Sequence, residues 1–197
     1  MPMTAPMILT LLRIALIPVL VIFFYLPFHW TNIACVIIFV SAAVTAWLDG
    51  YIARKMGLLS SFGAFLDPVA DKLMVATALV LLVQNPPPLE FHPVVFTLAA
   101  AIIIGREIAI SALREWMSEI GERARVAVSG VGKLKTIFQM VAISFLLYEE
   151  DLLMLPIALL GELLLYLAAI LTLWSMWVYL HSAWPIMRDQ DKSEEGG

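Results

Sequence analysis

Six apolar runs divide this chain, each close to the length a helix needs to cross a lipid bilayer. The hydrocarbon core calls for about 20 mostly apolar residues per spanning helix. The runs cover residues 7–26, 32–54, 62–83, 94–116, 133–148 and 158–181. Polar or proline-rich breaks separate them. The firmest is Asn85-Pro86-Pro87-Pro88, where missing amide donors and a restricted backbone stop a helix. Within the runs the apolar residues are continuous. A membrane β-strand would instead alternate over segments of about ten residues. The pattern predicts an all-α, polytopic membrane protein with six transmembrane helices in one domain over residues 1–197, and 186–197 as a solvated tail.

Composition narrows the class further. The chain is 62% hydrophobic and 14% charged, against about 45–50% and about 25% in a soluble domain. It is too apolar to be disordered. Cys35 is the only cysteine, so no disulfide scaffold is built within the chain. A net charge of -4 lacks the basic surplus of a nucleic-acid binder. The first run has no basic segment ahead of it and is interrupted by Arg13, so it is read as a retained helix and not a cleaved leader.

The basic residues give the expected orientation. All 12 Lys and Arg lie in the loops after the second and fourth spans, in the tail, or in the span halves facing that side. The opposite loops carry His29, Glu90, His92, Glu149, Glu150 and Asp151. The positive-inside rule then places both termini and the basic loops in the cytoplasm. Trp30, Trp116, Trp174, Trp177 and Trp184 are expected to pack or to form interfacial belts.

Several charges fall where lipid should be. Arg13, Asp49, Arg54, Asp67, Asp71, Lys72 and Arg106 lie inside spans or at their cytoplasmic ends. Such residues are costly in a bilayer and point to a cavity or to mutual pairing. Lys55 and Lys72 can be explained by snorkelling to the headgroups. The short acids cannot. Asp67 and Asp71 are four residues apart and share a helical face. Asp49 ends the preceding span, and a short turn makes the two helices antiparallel neighbours. Three carboxylates at one depth would repel one another. A hard divalent cation such as Mg²⁺, which takes oxygen ligands, relieves the conflict. Gly50, Ala53 and Gly63 leave room for a bulky phosphorylated ligand, and Arg54 is placed to bind its phosphate.

These residues form a pattern. Asp49-Gly50, then Ala53-Arg54, eight residues, Gly63, three residues, Asp67, three residues and Asp71 resemble the signature of the CDP-alcohol phosphatidyltransferases. Further stretches, 62–72, 106–108, 111–117 and 171–176, resemble the bacterial branch whose acceptor is sn-glycerol 3-phosphate. One position departs: the signature begins with an aspartate three residues before Asp49, and this chain has Ala46. In the family that aspartate is a metal ligand, which a methyl group cannot replace. The rest of the motif is intact, so Ala46 reads as a single inactivating substitution, engineered or natural.

The resemblance implies the phospholipid-synthetic transfer of a phosphatidyl group from CDP-diacylglycerol to glycerol 3-phosphate, releasing CMP. It implies Asp71 as general base. Asp49, Asp67 and Asp71 would bind one or two Mg²⁺ or Mn²⁺ ions, with Ala46 at the lost ligand position. It places Thr10 and Ser60 with Gly50, Ala53, Arg54 and Gly63 around the CDP-diacylglycerol headgroup, and it implies a homodimer. An anionic acceptor needs cations, which predicts Arg106, Lys133 and Lys135, with Arg13 and Arg114 secondary, as the glycerol-phosphate pocket. Other readings remain open at this stage: the same class with inositol phosphate or serine as acceptor, an ion-coupled membrane transporter, or an inactive scaffold.

Overall fold

The computed structural model describes residues 5–28, 30–56, 61–119, 130–152 and 155–194. Six helices account for nearly all of them: α1 (Ala5–Phe24), α2 (Thr31–Met56), α3 (Ser61–Gln84), α4 (Pro93–Glu119), α5 (Gly130–Tyr148) and α6 (Ile157–Glu194). Among the described residues there is no strand, only an isolated bridge between Leu152 and Leu155 that closes the α5–α6 turn. Each helix falls on an expected run. The main difference is α6, which is 38 residues long and continues to Glu194 through most of the expected tail. At about 1.5 Å per residue, a helix of that length outruns a hydrocarbon core of about 30 Å.

Local chemistry sets the ends. Pro27 follows α1, whose last turn tightens through Tyr25 N to Ile22 O (3.3 Å) and Leu26 N to Phe23 O (3.2 Å). Thr31 opens α2 with its hydroxyl donating to Phe28 O at 2.7 Å. His92 caps α4: Val94 N donates to its Nδ1 at 3.3 Å and Val95 N to its carbonyl at 2.8 Å. Pro93, lacking an amide proton, sits where an amide needs no helical partner. Pro68 lies inside α3 between Asp67 and Asp71 and removes one backbone hydrogen bond beside the carboxylates.

The helices pack α1 on α2 and α3, α5 on α2 and α6, and α4 on α6. Their shared core includes Leu20, Phe39, Leu79, Phe96, Ile103, Ile143 and Leu165, all buried. Gly161 brings α6 close to α5: an added Cβ would lie 2.9 Å from Leu146 Cγ and 3.1 Å from the Ala142 carbonyl oxygen. A small residue at such a crossing lets membrane helices approach. The fully buried Glu162 beside it accepts from Glu90 N (3.0 Å), Phe91 N (3.3 Å) and Tyr166 Oη (2.6 Å), tying the α3–α4 loop to α6.

Among the described residues, three helices are long and apolar enough to cross a membrane by length and composition, over 7–24, 93–118 and 157–181. Shorter apolar stretches lie in α2 (Thr31–Ala46) and α5 (Leu134–Tyr148). In α3 the apolar sequence is broken by Asp67, Asp71 and Lys72. Ile22, Ile37, Val80, Leu98, Ile108, Ile170, Trp174 and Trp177 are more than half exposed. Outward apolar side chains on this scale suit lipid and not water.

Candidate active site

A cavity of about 450 Å³ lies among five helices. Arg13 comes from α1, Ala42, Ala43 and Ala46 from α2, and Asp71 and Lys72 from α3. Glu107 comes from α4, and Thr136 and Gln139 from α5. The alanines of α2 keep that wall thin, so charged groups on the facing helices can share one space. Ala46, at the position where the sequence pattern lacks its first aspartate, lines the same cavity as Asp71.

Two contacts join α1 to α3. Thr10 Oγ1 donates to Asp67 Oδ1. Arg13 Nη1 donates to Asp71 Oδ1 at 2.7 Å, and Arg13 Nε donates to the Ala42 carbonyl at 3.2 Å. The spacing explains the match: Thr10 and Arg13 lie three apart on α1, Asp67 and Asp71 four apart on α3, and both spacings keep a pair on one helical face. Arg13 is 1% exposed and Asp71 52% exposed. A buried guanidinium therefore fixes a carboxylate that still opens to the cavity.

A second group joins α4 to α5 and α6. Glu107 accepts from Arg106 Nη1 at 2.9 Å and also from Lys135 Nζ. Arg106 Nη2 donates to Ser175 Oγ at 3.0 Å. Arg106 and Lys135 are both buried, yet Glu107 and not either cation lines the cavity. The carboxylate thus stands between the two cations and the open space. Arg114 turns elsewhere: its Nη2 donates to Tyr179 Oη at 3.3 Å, and its guanidinium lies 5.5 Å from the ring centre. Lys72 Nζ donates to Ser111 Oγ, which donates in turn to the Glu107 carbonyl at 2.7 Å.

The sequence-predicted residues divide accordingly. Arg13, Asp71 and the Ala46 position share the cavity, and Asp67 joins them through Thr10 and its own helix. Arg13 pairs with Asp71 and is not grouped with Arg106 and Lys135. Lys72, explicable by snorkelling, instead lines the cavity between α3 and α4. Gly63 is buried in the first turn of α3. Asp49, Gly50, Ala53 and Arg54 lie on α2 and Lys133 on α5, with their side chains outside the described residues; Ser60 lies wholly outside them. Glu107, Thr136 and Gln139 were not singled out by sequence reasoning as site residues. The available signal for Glu107 was an acid one residue after Arg106, well inside an apolar run.

Among the described residues, no group of three or more His, Cys, Asp or Glu side chains gathers as a metal site. Asp49, the third acid of the expected set, has its side chain outside that search.

The model of the CDP-alcohol phosphatidyltransferases matches residues 3–174. This chain belongs to that family. It is therefore a membrane protein, built from helices as the family is. Among similar proteins, one from Yersinia pestis is 52% identical over 184 residues, covering 93% of this chain and 97% of that protein. Proteins from Sodalis glossinidius and Pectobacterium atrosepticum are each 52% identical over 183 residues, covering 93% of this chain and 96% of theirs. All three are named CDP-diacylglycerol–glycerol-3-phosphate 3-phosphatidyltransferase.

Proposed function

We propose that the cavity is the site of phosphatidyl transfer from CDP-diacylglycerol to sn-glycerol 3-phosphate, forming phosphatidylglycerol phosphate and CMP. The carrying observation is that Asp71, held by buried Arg13, opens into the same space as the Ala46 position. Relatives at 52% identity, named for that acceptor, support its choice over inositol phosphate or serine.

The acceptor's primary hydroxyl forms a new P–O bond at the lipid phosphate while the bond to CMP breaks. Asp71 takes the hydroxyl proton as general base, and Arg13 keeps the carboxylate aimed into the cavity. Arg54 binds the diphosphate, with Thr10, Gly50, Ala53, Ser60 and Gly63 around the nucleotide. Arg106, Lys133 and Lys135 supply the positive charge that favours the acceptor's phosphate, while Arg13 is committed to Asp71 and Arg114 to Tyr179. Glu107 offsets two of these cations.

The donor chemistry fits a hard divalent cation: Asp67 and Asp71 offer oxygens from one helix face, and Asp49 belongs to the adjoining helix. These three would hold Mg²⁺ or Mn²⁺, which supplies charge neutralisation at the attacked phosphate when bound. Ala46 leaves that set one carboxylate short, so this chain is impaired in turnover.

All six helices cross the bacterial cytoplasmic membrane in this reading, with both termini and the cavity on the cytoplasmic side. Asp71 and Lys72 of α3 serve the cavity. The working unit is a homodimer.

The test offers Ala46→Asp CDP-diacylglycerol with glycerol 3-phosphate, inositol phosphate or serine, and measures CMP. Release with glycerol 3-phosphate is expected. Release with another acceptor only would overturn the acceptor, and none with any would overturn the enzyme reading.

A further inference from the structure

Gln139 lies on α5 four residues after Lys135, on the same helical face. It lines the cavity together with Arg13, Ala46 and Asp71. Its side chain is 3% exposed, and its Oε1 has no hydrogen-bond partner among the described residues. Leaving a buried polar atom unpaired costs about 1–3 kcal/mol, and the large majority of buried side-chain polar atoms are paired. Donors on the neighbouring wall are engaged elsewhere: Arg13 with Asp71 and the Ala42 carbonyl, and Lys72 with Ser111. The unmet oxygen belongs to a side chain on the cavity wall, where a bound ligand can pair with the amide.

The position suits one part of a polyol phosphate. Lys135 lies one helical turn from Gln139; with Arg106 it outnumbers the one carboxylate, Glu107, that stands before the cavity, so this side keeps a net positive charge that favours a phosphate. Asp71 marks the side where a reacting hydroxyl loses its proton. Counting about 1.5 Å of rise per residue, Asp71 in α3 and Gln139 in α5 stand at similar depths from the same end of the bundle. sn-Glycerol 3-phosphate carries a third polar group, the middle hydroxyl, between its phosphate and its reacting hydroxyl. A neutral amide suits that group better than an acid. It accepts a hydrogen bond without adding a negative charge beside Glu107 and an incoming phosphate. A hydroxyl both donates and accepts, so it can pair with either end of the amide.

We propose that Gln139 is a specificity-determining residue that binds the middle hydroxyl of the acceptor and thereby selects a polyol phosphate over a simple hydroxyalkyl phosphate. This rests on the acceptor reading given under the proposed function.

The test is calorimetric titration of the full-length chain in detergent with sn-glycerol 3-phosphate and with 3-hydroxypropyl phosphate, which lacks the middle hydroxyl. The expected preference for glycerol 3-phosphate is about tenfold. In Gln139→Leu the two ligands should bind alike, with 3-hydroxypropyl phosphate keeping its original affinity. Gln139→Met, closer in shape, should lose the preference in the same way. The comparison in the unsubstituted chain stands even where neither variant folds. Equal affinities there, or a preference that survives in either variant, would overturn the role of Gln139 while leaving the acceptor reading intact. Binding of neither phosphate would overturn the acceptor reading and this inference with it.

Discussion

Replacing Glu107 with alanine removes the carboxylate that Arg106 and Lys135 share. Arg106 is 8% exposed and Lys135 1% exposed, so neither cation can turn to water without moving. Arg106 keeps Ser175 at 3.0 Å and the Tyr179 ring at 5.7 Å. Among the described residues Lys135 has no hydrogen-bond partner other than Glu107, so the damage centres on Lys135. Removing one partner of a buried pair typically costs about 3–5 kcal/mol, because the other charge is left uncompensated. Glu107 is 26% exposed, so some water reaches the gap. The loss should therefore sit near the low end, about 3 kcal/mol. For a chain of this size each kcal/mol lowers the melting temperature by about 2–4 °C. Thermal unfolding in detergent should then fall by about 6–12 °C for Glu107→Ala. Glu107→Gln keeps an acceptor oxygen and should lose less. Adding Lys135→Met to Glu107→Ala should recover part of the loss, with a coupling of about 1–2 kcal/mol. A Glu107→Ala melting point within about 2 °C of the parent would contradict the pairing argument. Strict additivity of the two substitutions would contradict it as well.

Two other substitutions probe the frame that holds the site. Gly161→Val should destabilise by about 1–3 kcal/mol, since its side chain would meet Leu146 and a backbone oxygen that cannot easily withdraw; an unchanged unfolding midpoint would contradict the close α5–α6 crossing. Glu162→Ala strips the partner from the Glu90 and Phe91 amides. Hydrogen exchange at those two amides should accelerate markedly while amides in α4 hold, and unchanged exchange would show that the carboxylate does not tie the loop.

The helices were legible because length and continuous apolarity leave few alternatives, and each break carried proline or clustered polar residues. Asp67 and Asp71 were legible for a different reason. Short acids cannot snorkel, so their spacing had to serve something other than solvation. Long basic side chains gave a weaker signal. Snorkelling explains Lys72 as readily as a cavity does, and only the α3–α4 packing shows it bonded to Ser111. Arg106 and Lys135 were read as a ligand pocket from their charge; the carboxylate they share, Glu107, was not legible. One acid in a long apolar run does not disclose its partner, because the partner lies on another helix. Glu162 was missed for the same reason: its partners are backbone amides about seventy residues earlier in the chain. Gln139 is an uncharged residue in an apolar stretch, and only burial beside a cavity distinguishes it. The extension of α6 to Glu194 shows that polar composition after 185 did not end the helix.

The most direct measurement compares CMP release by this chain and by Ala46→Asp, with CDP-diacylglycerol, glycerol 3-phosphate and Mg²⁺, before and after chelation. The account predicts release from Ala46→Asp that chelation abolishes and added Mg²⁺ restores, and release at least about a hundredfold slower from the unsubstituted chain, a barrier difference of about 2.7 kcal/mol. Equal release from both chains, or release from Ala46→Asp indifferent to chelation, would contradict the claim that residue 46 completes a metal-binding carboxylate set at this cavity.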